Sequence, residues 1–468
     1  MNCLAKRVGF GVGAIALLVV FALAPLPEGL DRSGMLALGL TMFNILLWIG
    51  NVVPKPIAGL CVMVLLPVLG VSSSLSATIK DFISSVFFFL LAAFAIAAMV
   101  KKSDLPQRLM RLLLKWFKGS SRKIVLAYMV ASAIISTVMS DLAACALFSA
   151  VVLAVFENPN LGLKFDKPFM KCVMIGVPIG SLAGGIATPI GSSSNFTMLE
   201  LLTQTNGMEI SFFQWMVVGV PIAVISVLAG WVALCVTFKP APLTPREMDA
   251  LRAACGDLGP LAPREWKTII LVTAMFVLWI LTSYVSGLDS TMVAMVGMIL
   301  MFIPAMDLLT WEDYTTEVPW DLVIMLGCLM ALASSLLSTG AIDWVANSLL
   351  GGAYSWHPFA ILLMMGVVIA VLRAFVPNGP PIVVMLTPAM VTLAVNTGID
   401  PLCVIMTMSI WAQITFLIPA IDALYLITYQ RGHYTIFDVL KFGIPLTIVL
   451  LLVFTALLPP LVSLAEVL

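Results

Sequence analysis

Three ionisable side chains stand where the surrounding sequence is apolar: Asp141, Arg373 and Asp422. A charge at the centre of a membrane helix costs about 2.5–3.5 kcal/mol on insertion scales, so such residues need a functional or pairing reason to be there. A guanidinium offers planar donors that match a carboxylate, whether on a bound anion or on an aspartate. Beside these charges lie polar or helix-breaking residues: Ser136 to Asp141, Gly191-Ser192-Ser193-Ser194-Asn195, Pro377-Asn378-Gly379-Pro380-Pro381, and Gln413, Thr415 and Pro419 ahead of Asp422. Residues of these types interrupt helices, and the helix N-termini they create present free N–H groups to an anion.

The elements that must hold these residues are membrane helices. Of 468 residues, 61% are hydrophobic and 10% charged, against about 25% charged in a soluble domain. That excludes a soluble globular enzyme. The 24 basic and 24 acidic residues cancel, which excludes a nucleic-acid partner. The eight Cys are scattered singly, and the only His residues are His357 and His433. No disulfide framework, zinc site or other cofactor is expected. No Walker motif appears, which argues against ATP-driven transport.

A bilayer core needs about 20 apolar residues per helix. Spans are expected at about 8–24, 33–50, 56–71, 82–101, 169–203 (interrupted), 212–237, 267–286, 290–306, 320–338, 401–428 (interrupted) and 437–460, eleven in all. The first resembles a signal peptide but reads as an uncleaved helix, given the many spans that follow. Two further apolar stretches, about 122–157 and 357–397, are too long for one crossing and are broken near their middles. Arms of about 15 residues reach about 23 Å, so both read as re-entrant hairpins; a kinked pair of ordinary spans is the alternative. Irregular backbone at that depth must line a cavity or be buried in protein. The expected fold is an all-α polytopic membrane protein of about eleven transmembrane helices plus two hairpins.

With a cytoplasmic N-terminus, 21 of the 24 Lys and Arg residues fall on the inner side, Arg32 and Lys80 fall outside, and Arg373 is left within the membrane. The positive-inside rule then sets the orientation, with the C-terminus outside and the cell (inner) membrane as the location. Residues 104–118 read as an amphipathic basic helix along the interface.

The two halves share an order of hairpin, interrupted helix and final helix. Phe213 to Pro221 and Phe437 to Pro445 share the spacing Phe-x5-Gly-aliphatic-Pro, 224 residues apart. The expected organisation is a first helix and loop (1–32), repeat 1 (33–237), a cytoplasmic linker (238–266) and repeat 2 (267–468). Five crossings per repeat invert the second copy, and inverted repeats with broken helices are the architecture of secondary transporters.

The stretch Leu47 to Pro56, leading to Leu66-Pro67-Val68-Leu69-Gly70-Val71, resembles the early signature of the divalent anion–sodium symporter family. The stretches Trp320 to Leu350 and Tyr434 to Pro445 are similar to it as well. In that family each hairpin tip carries Ser-Asn-Thr and each broken helix a Thr-Pro-Pro-Asn-like turn. Here the tips read Ser140-Asp141-Leu142 and Pro377-Asn378-Gly379, and the turns Ser192-Ser193-Ser194-Asn195 and Pro419-Ala420-Ile421-Asp422. The motifs are therefore altered.

The resemblance implies an elevator-type homodimer taking up di- or tricarboxylates, or sulfate, with Na⁺. It groups Ser136, Ser140, Asp141, Gly191 and Asn195 as cation site one. It groups Arg373, Asn378, Pro419 and Asp422 as site two, where Asn378 and Asp422 would be the metal ligands. Ser140, Asp141, Asn195, Arg373, Asn378, Gly379 and Pro419 would face the anion. Site one, with its oxygen donors and carboxylate, suits Na⁺ or a proton. At site two, Arg373 either replaces the second Na⁺ or forms a purely structural pair with Asp422. A Na⁺-independent exchanger and an H⁺ symporter are the alternatives on the same fold. A membrane-embedded enzyme would want a His or paired acids at one interface, and neither His lies near the broken helices.

Overall fold

The computed structural model describes residues 3–467 apart from 84, 118–119, 257, 286, 351, 353–354, 374–378, 415 and 417–421. Every regular element among them is helical. After α1 (Cys3–Leu23) comes a first series: α2 (Arg32–Ile49), α3 (Lys55–Val68), α4 (Leu75–Phe82), α5 (Ser85–Lys102), α6 (Leu105–Trp116), the pair α7 (Ser121–Ser136) and α8 (Asp141–Phe156), the pair α9 (Lys167–Ala187) and α10 (Ser193–Asn206), and α11 (Phe212–Phe238). A connecting helix, α12 (Pro245–Ala253), follows. The second series is α13 (Pro263–Leu281), α14 (Ser290–Phe302), α15 (Trp311–Glu317), α16 (Trp320–Ser338), α17 (Ala341–Leu350), the pair α18 (Pro358–Arg373) and α19 (Gly379–Thr397), the pair α20 (Pro401–Gln413) and α21 (Ala423–Tyr429), and α22 (Ile436–Val467).

The two series match element for element, α2–α11 with α13–α22. Their packing matches too. α3 lies on α16 as α14 lies on α5; α4 lies on α16 as α15 lies on α5; α10 lies on α19 as α21 lies on α8. Each pair becomes the other when the copies are exchanged, as a pseudo-twofold relation requires. The shared Phe-x5-Gly-aliphatic-Pro spacing marks a common job. A Cβ on Gly219 would come 2.6 Å from the Ile186 carbonyl oxygen, and one on Gly443 would come closer still to that of Phe416. In both copies the final helix therefore presses bare backbone against the chain near the break in the preceding pair.

Local chemistry explains where these helices start and stop. Asp166 caps α9 and Asp400 caps α20, each just ahead of a proline in the first turn, where a missing N–H costs nothing. Thr188 is extended (φ −134°, ψ 156°) because Pro189 follows it, and α9 stops there.

Among the described residues six helices are long and apolar enough to cross a bilayer alone, or seven if the bent pair α4/α5 counts as one span. Several expected spans are shorter: α3 has 14 residues, α14 has 13 and α20 has 13. The expected hairpins correspond to α7/α8 and α18/α19, with arms of 16 residues in the first. The expected linker 238–266 is not simply a loop. It contains α12, and Arg108 of α6 donates to the carbonyl oxygens of Leu258, Gly259 and Pro260 at 2.8–2.9 Å and pairs with Glu265.

Ion pairs join ends that the span order puts on one face. Lys101 meets Glu317 at 2.6 Å, Lys102 meets Asp313, and Lys171 meets Asp438 at 2.6 Å. On the opposite face Arg32 donates to the carbonyls of Ala22 and Ala24 at 2.9 Å, and Trp344 to that of Glu28 at 3.0 Å.

Candidate functional site

Both hairpins and both interrupted pairs converge on one cavity of about 390 Å³. One wall carries Ser140 and Asp141 from the first tip, Ser192, Ser193 and Ser194 from the first break, Arg373 and Gly379 from the second hairpin, and Gln413 and Asp422 from the second break. The facing wall is built by α5 and by the starts of α3 and α16, which contribute Lys55 and Asp321.

In the second repeat, Arg373 Nη2 lies 2.6 Å from Asp422 Oδ2, and both side chains are only 4% exposed. The other Asp422 oxygen accepts the Leu424 N–H at 2.9 Å and so caps α21. One carboxylate thus neutralises a buried cation and starts the distal half of the broken helix. Gly379 opens α19 against this region. A Cβ there would meet the Ala412 carbonyl oxygen at 2.5 Å and Ser194 Oγ at 2.8 Å, so a bulkier residue would displace the chain that closes the cavity. Asn378 and Pro419 lie outside the described residues.

The first repeat solves the same problem without a charge pair. Asn195 is fully buried. Its Nδ2 donates to the carbonyls of Gly185 (2.7 Å) and Thr188 (2.8 Å), while its Oδ1 accepts from Ser409 Oγ (2.6 Å) and from Gln413 Nε2. Two donors and two lone pairs exhaust a primary amide. In this arrangement Asn195 ties α10 to the end of α9 and to α20, and it is not among the described lining residues of the cavity.

The remaining residues of site one do come together. A Cβ on Gly191 would lie 2.7 Å from the Ser136 carbonyl oxygen and 2.6 Å from that of Gly185. Asp141 Cβ is 3.3 Å from the Cβ position of Gly185. Ser136 is buried, its hydroxyl donating to the Ser181 carbonyl at 2.7 Å. Ser140 caps α8 through the Ala143 N–H at 3.3 Å. Asp141 Oδ1 accepts the Leu142 N–H at 2.8 Å, and the guanidinium of Arg373 pairs with Asp422. The Ser136 and Gly185 carbonyls thus pack closely about Gly191, and Asp141 packs against Gly185.

Lys55 and Asp321 escape sequence reasoning as site residues, since Lys55 reads there as one of the loop charges that set the orientation. The available signal is position: each stands at the first turn of a span, Lys55 before Pro56 and Asp321 after Trp320. Among the described lining residues the cavity holds two basic side chains, Lys55 and Arg373, against three carboxyl groups, those of Asp141, Asp321 and Asp422.

A central cavity lined from both hairpins and both interrupted pairs, within a helical membrane body, is the arrangement expected of a secondary transporter. Known proteins agree. The family model described as the sodium:sulfate symporter transmembrane region matches residues 8–460. The sodium-dependent dicarboxylate transporter SdcS of Staphylococcus saprophyticus is 25% identical over 97% of this chain and 92% of its own length. That of Staphylococcus aureus is 24% identical over 84% of this chain and 79% of its own. Among solved structures, the YdaH transporter of Alcanivorax borkumensis is similar at a TM-score of 0.51, 14% identity and 98% and 97% coverage of the two chains. MtrF of Neisseria gonorrhoeae is similar at 0.57, 12% identity and 98% and 94% coverage. At those identities the two structures speak to the fold alone. The chain belongs to the sodium:sulfate symporter family and is a multi-pass secondary transporter of small anions.

Proposed function

We propose that the chain is a cation-coupled carrier of small divalent anions, di- or tricarboxylates or sulfate-like ions, with Na⁺ as the first candidate for the coupling ion. The observation that carries this reading is the charge balance of the cavity. A divalent anion entering beside three carboxyl groups and only two basic side chains needs accompanying cations, and Asp141 is the carboxyl group available to hold one. The carbonyls of Ser136 and Gly185 beside Gly191 supply hard oxygen donors of the kind Na⁺ prefers. Relatives named as sodium-dependent dicarboxylate transporters support the same ion and substrate class.

In the second repeat, Arg373 takes the place of a second Na⁺. Its guanidinium shares its charge between Asp422 and the anion, and Ser192, Ser193 and Ser194 offer hydroxyls at the start of α10. The inverted repeats rock as an elevator within a homodimer in the inner membrane, with the N-terminus inside and the C-terminus outside, in keeping with the family resemblance and the basic-residue distribution.

Proteoliposomes test this. Loaded with a C4-dicarboxylate, they should show uptake of the labelled anion stimulated from the trans side and driven by an inward Na⁺ gradient. Uptake without trans-stimulation would refute a carrier. The second reading, an H⁺-coupled symporter, rests on Asp141 as a titratable group; uptake driven by a pH gradient and indifferent to Na⁺ would favour it. Uptake indifferent to both, with obligatory counter-anion, would make the protein an exchanger.

A further inference from the structure

Away from the central cavity, a second recess of about 820 Å³ opens between α6 and the chain that follows α12. Its charged lining residues are all basic among the described ones: Arg108, Arg111 and Lys115 from α6, and Arg252 from the last turn of α12. Arg108 builds the recess, since its guanidinium is held by three carbonyls and by Glu265. Arg111 donates to the Gly256 carbonyl at 3.3 Å, and Arg252 lies 3.6 Å from the exposed Asp249.

The rest of α6 says where this recess faces. Pro106, Met110, Leu113 and Leu114 are buried against the protein. At 100° per residue, Leu105, Leu109, Leu112 and Trp116 form a second stripe, and Leu112 (41%) and Trp116 (69%) are exposed. The basic stripe of Arg108, Arg111 and Lys115 runs directly beside it. An exposed apolar stripe bordered by cations, on a helix that starts three residues after a membrane-type helix ends, is the pattern of a helix lying in the headgroup layer. An anion in the recess would sit next to acyl chains covering Leu112 and Trp116.

We propose that this recess binds the phosphodiester headgroup of an anionic phospholipid, with Arg111, Lys115 and Arg252 as its ligands and Leu112 and Trp116 against its chains. The bound lipid would tie α6 to the connection between the repeats. The site is separate from the transported anion's cavity and does not rest on the assignment of that anion.

The test is native mass spectrometry of the full-length protein in detergent with added phosphatidylglycerol or phosphatidylcholine of matched chains. Wild type should retain phosphatidylglycerol preferentially, and retention should fall about fivefold for each of Arg111→Gln, Lys115→Gln and Arg252→Gln. Equal retention of the two lipids by wild type would overturn the proposal, as would undiminished phosphatidylglycerol in a triple variant that elutes as a single folded species. Inorganic phosphate at matched concentration should not displace the lipid; if it does so fully, the site is one for free phosphate and the lipid assignment fails. If the triple variant does not fold, Lys115→Gln alone decides, because that side chain lies on the exposed face of α6.

Discussion

The two breaks that meet at the cavity occupy matching places in the two repeats and are held by different chemistry. In the first, the break position is Asn195 and the tip position Asp141; in the second, the break position is Asp422 and the tip position Asn378. Amide and carboxylate have exchanged places. The consequence differs in kind. Asn195 is neutral and can be saturated by backbone and neutral side chains, so its repeat leaves the carboxylate of Asp141 at the cavity for other use. Asp422 is charged and buried, so its repeat must supply a fixed cation, and Arg373 does so at 2.6 Å. One copy thus leaves a carboxylate at the cavity, and the other carries its own cation.

The sharpest way to break this contrast is to remove the fixed cation. Arg373→Gln leaves Asp422 buried without its cation and should cost about 3–5 kcal/mol of stability, seen as a large fall in the melting temperature of the purified protein. Adding Asp422→Asn should restore most of that stability. If Arg373 serves only its pair, the double variant transports normally; if it also serves the anion, transport stays lost.

A lesser effect is expected at the neutral break. Asn195→Ala strands two carbonyls and two donors, at about 1–3 kcal/mol for each buried group that finds no water. Asn195→Asp should be no better, since a carboxylate has no N–H for Gly185 and Thr188. A melting temperature unchanged in both would show that the link between α10 and α20 is unimportant.

The glycines of the shared spacing compare the repeats more gently. Gly443→Ala should destabilise more than Gly219→Ala, because its Cβ would press harder on a carbonyl oxygen. Overpacking of this kind costs about 1–3 kcal/mol, and thermal melts of the two variants rank them.

Asp141→Asn should leave stability nearly untouched, since Arg373 keeps its partner Asp422, while changing the Na⁺ or pH dependence of uptake. Unchanged dependence on both would remove Asp141 from coupling. Lys55→Met is expected to act most weakly, raising the half-saturating anion concentration by about fivefold to tenfold, the equivalent of about 1–1.4 kcal/mol; flux assays over a concentration series measure it.

Much of this architecture is legible in the amino-acid sequence. The break in α9/α10 coincides with Thr188-Pro189 and the run Gly191-Ser192-Ser193-Ser194-Asn195, and that in α20/α21 with Gln413, Thr415, Pro419 and Asp422. The hairpins stand out as apolar stretches too long for one span and interrupted at their centres. The short helices α4, α12, α15 and α17 are not legible, because helices of 7–10 residues carry too few turns for a period to show. Arg373 and Asp422 are recognisable as partners because two charges in apolar surroundings have few other remedies. The role of Asn195 is not, since an Asn in a polar turn reads the same whether it faces a ligand or seals a joint.

By composition and pattern alone, the chain reads as a helical membrane protein with two similarly ordered halves and a few residues that do not belong in lipid. Those properties are local or additive, arising from span length, helix breakers and the cost of burying charge. Other properties depend on contacts between residues far apart in the chain, as Asn195 and Gln413 are at a separation of 218. They include which groups saturate Asn195, the presence of Lys55 and Asp321 at the cavity, and the meeting there of residues from both hairpins and both interrupted pairs. Only the packing of one repeat against the other brings such residues within hydrogen-bond reach, so the tertiary structure alone decides them.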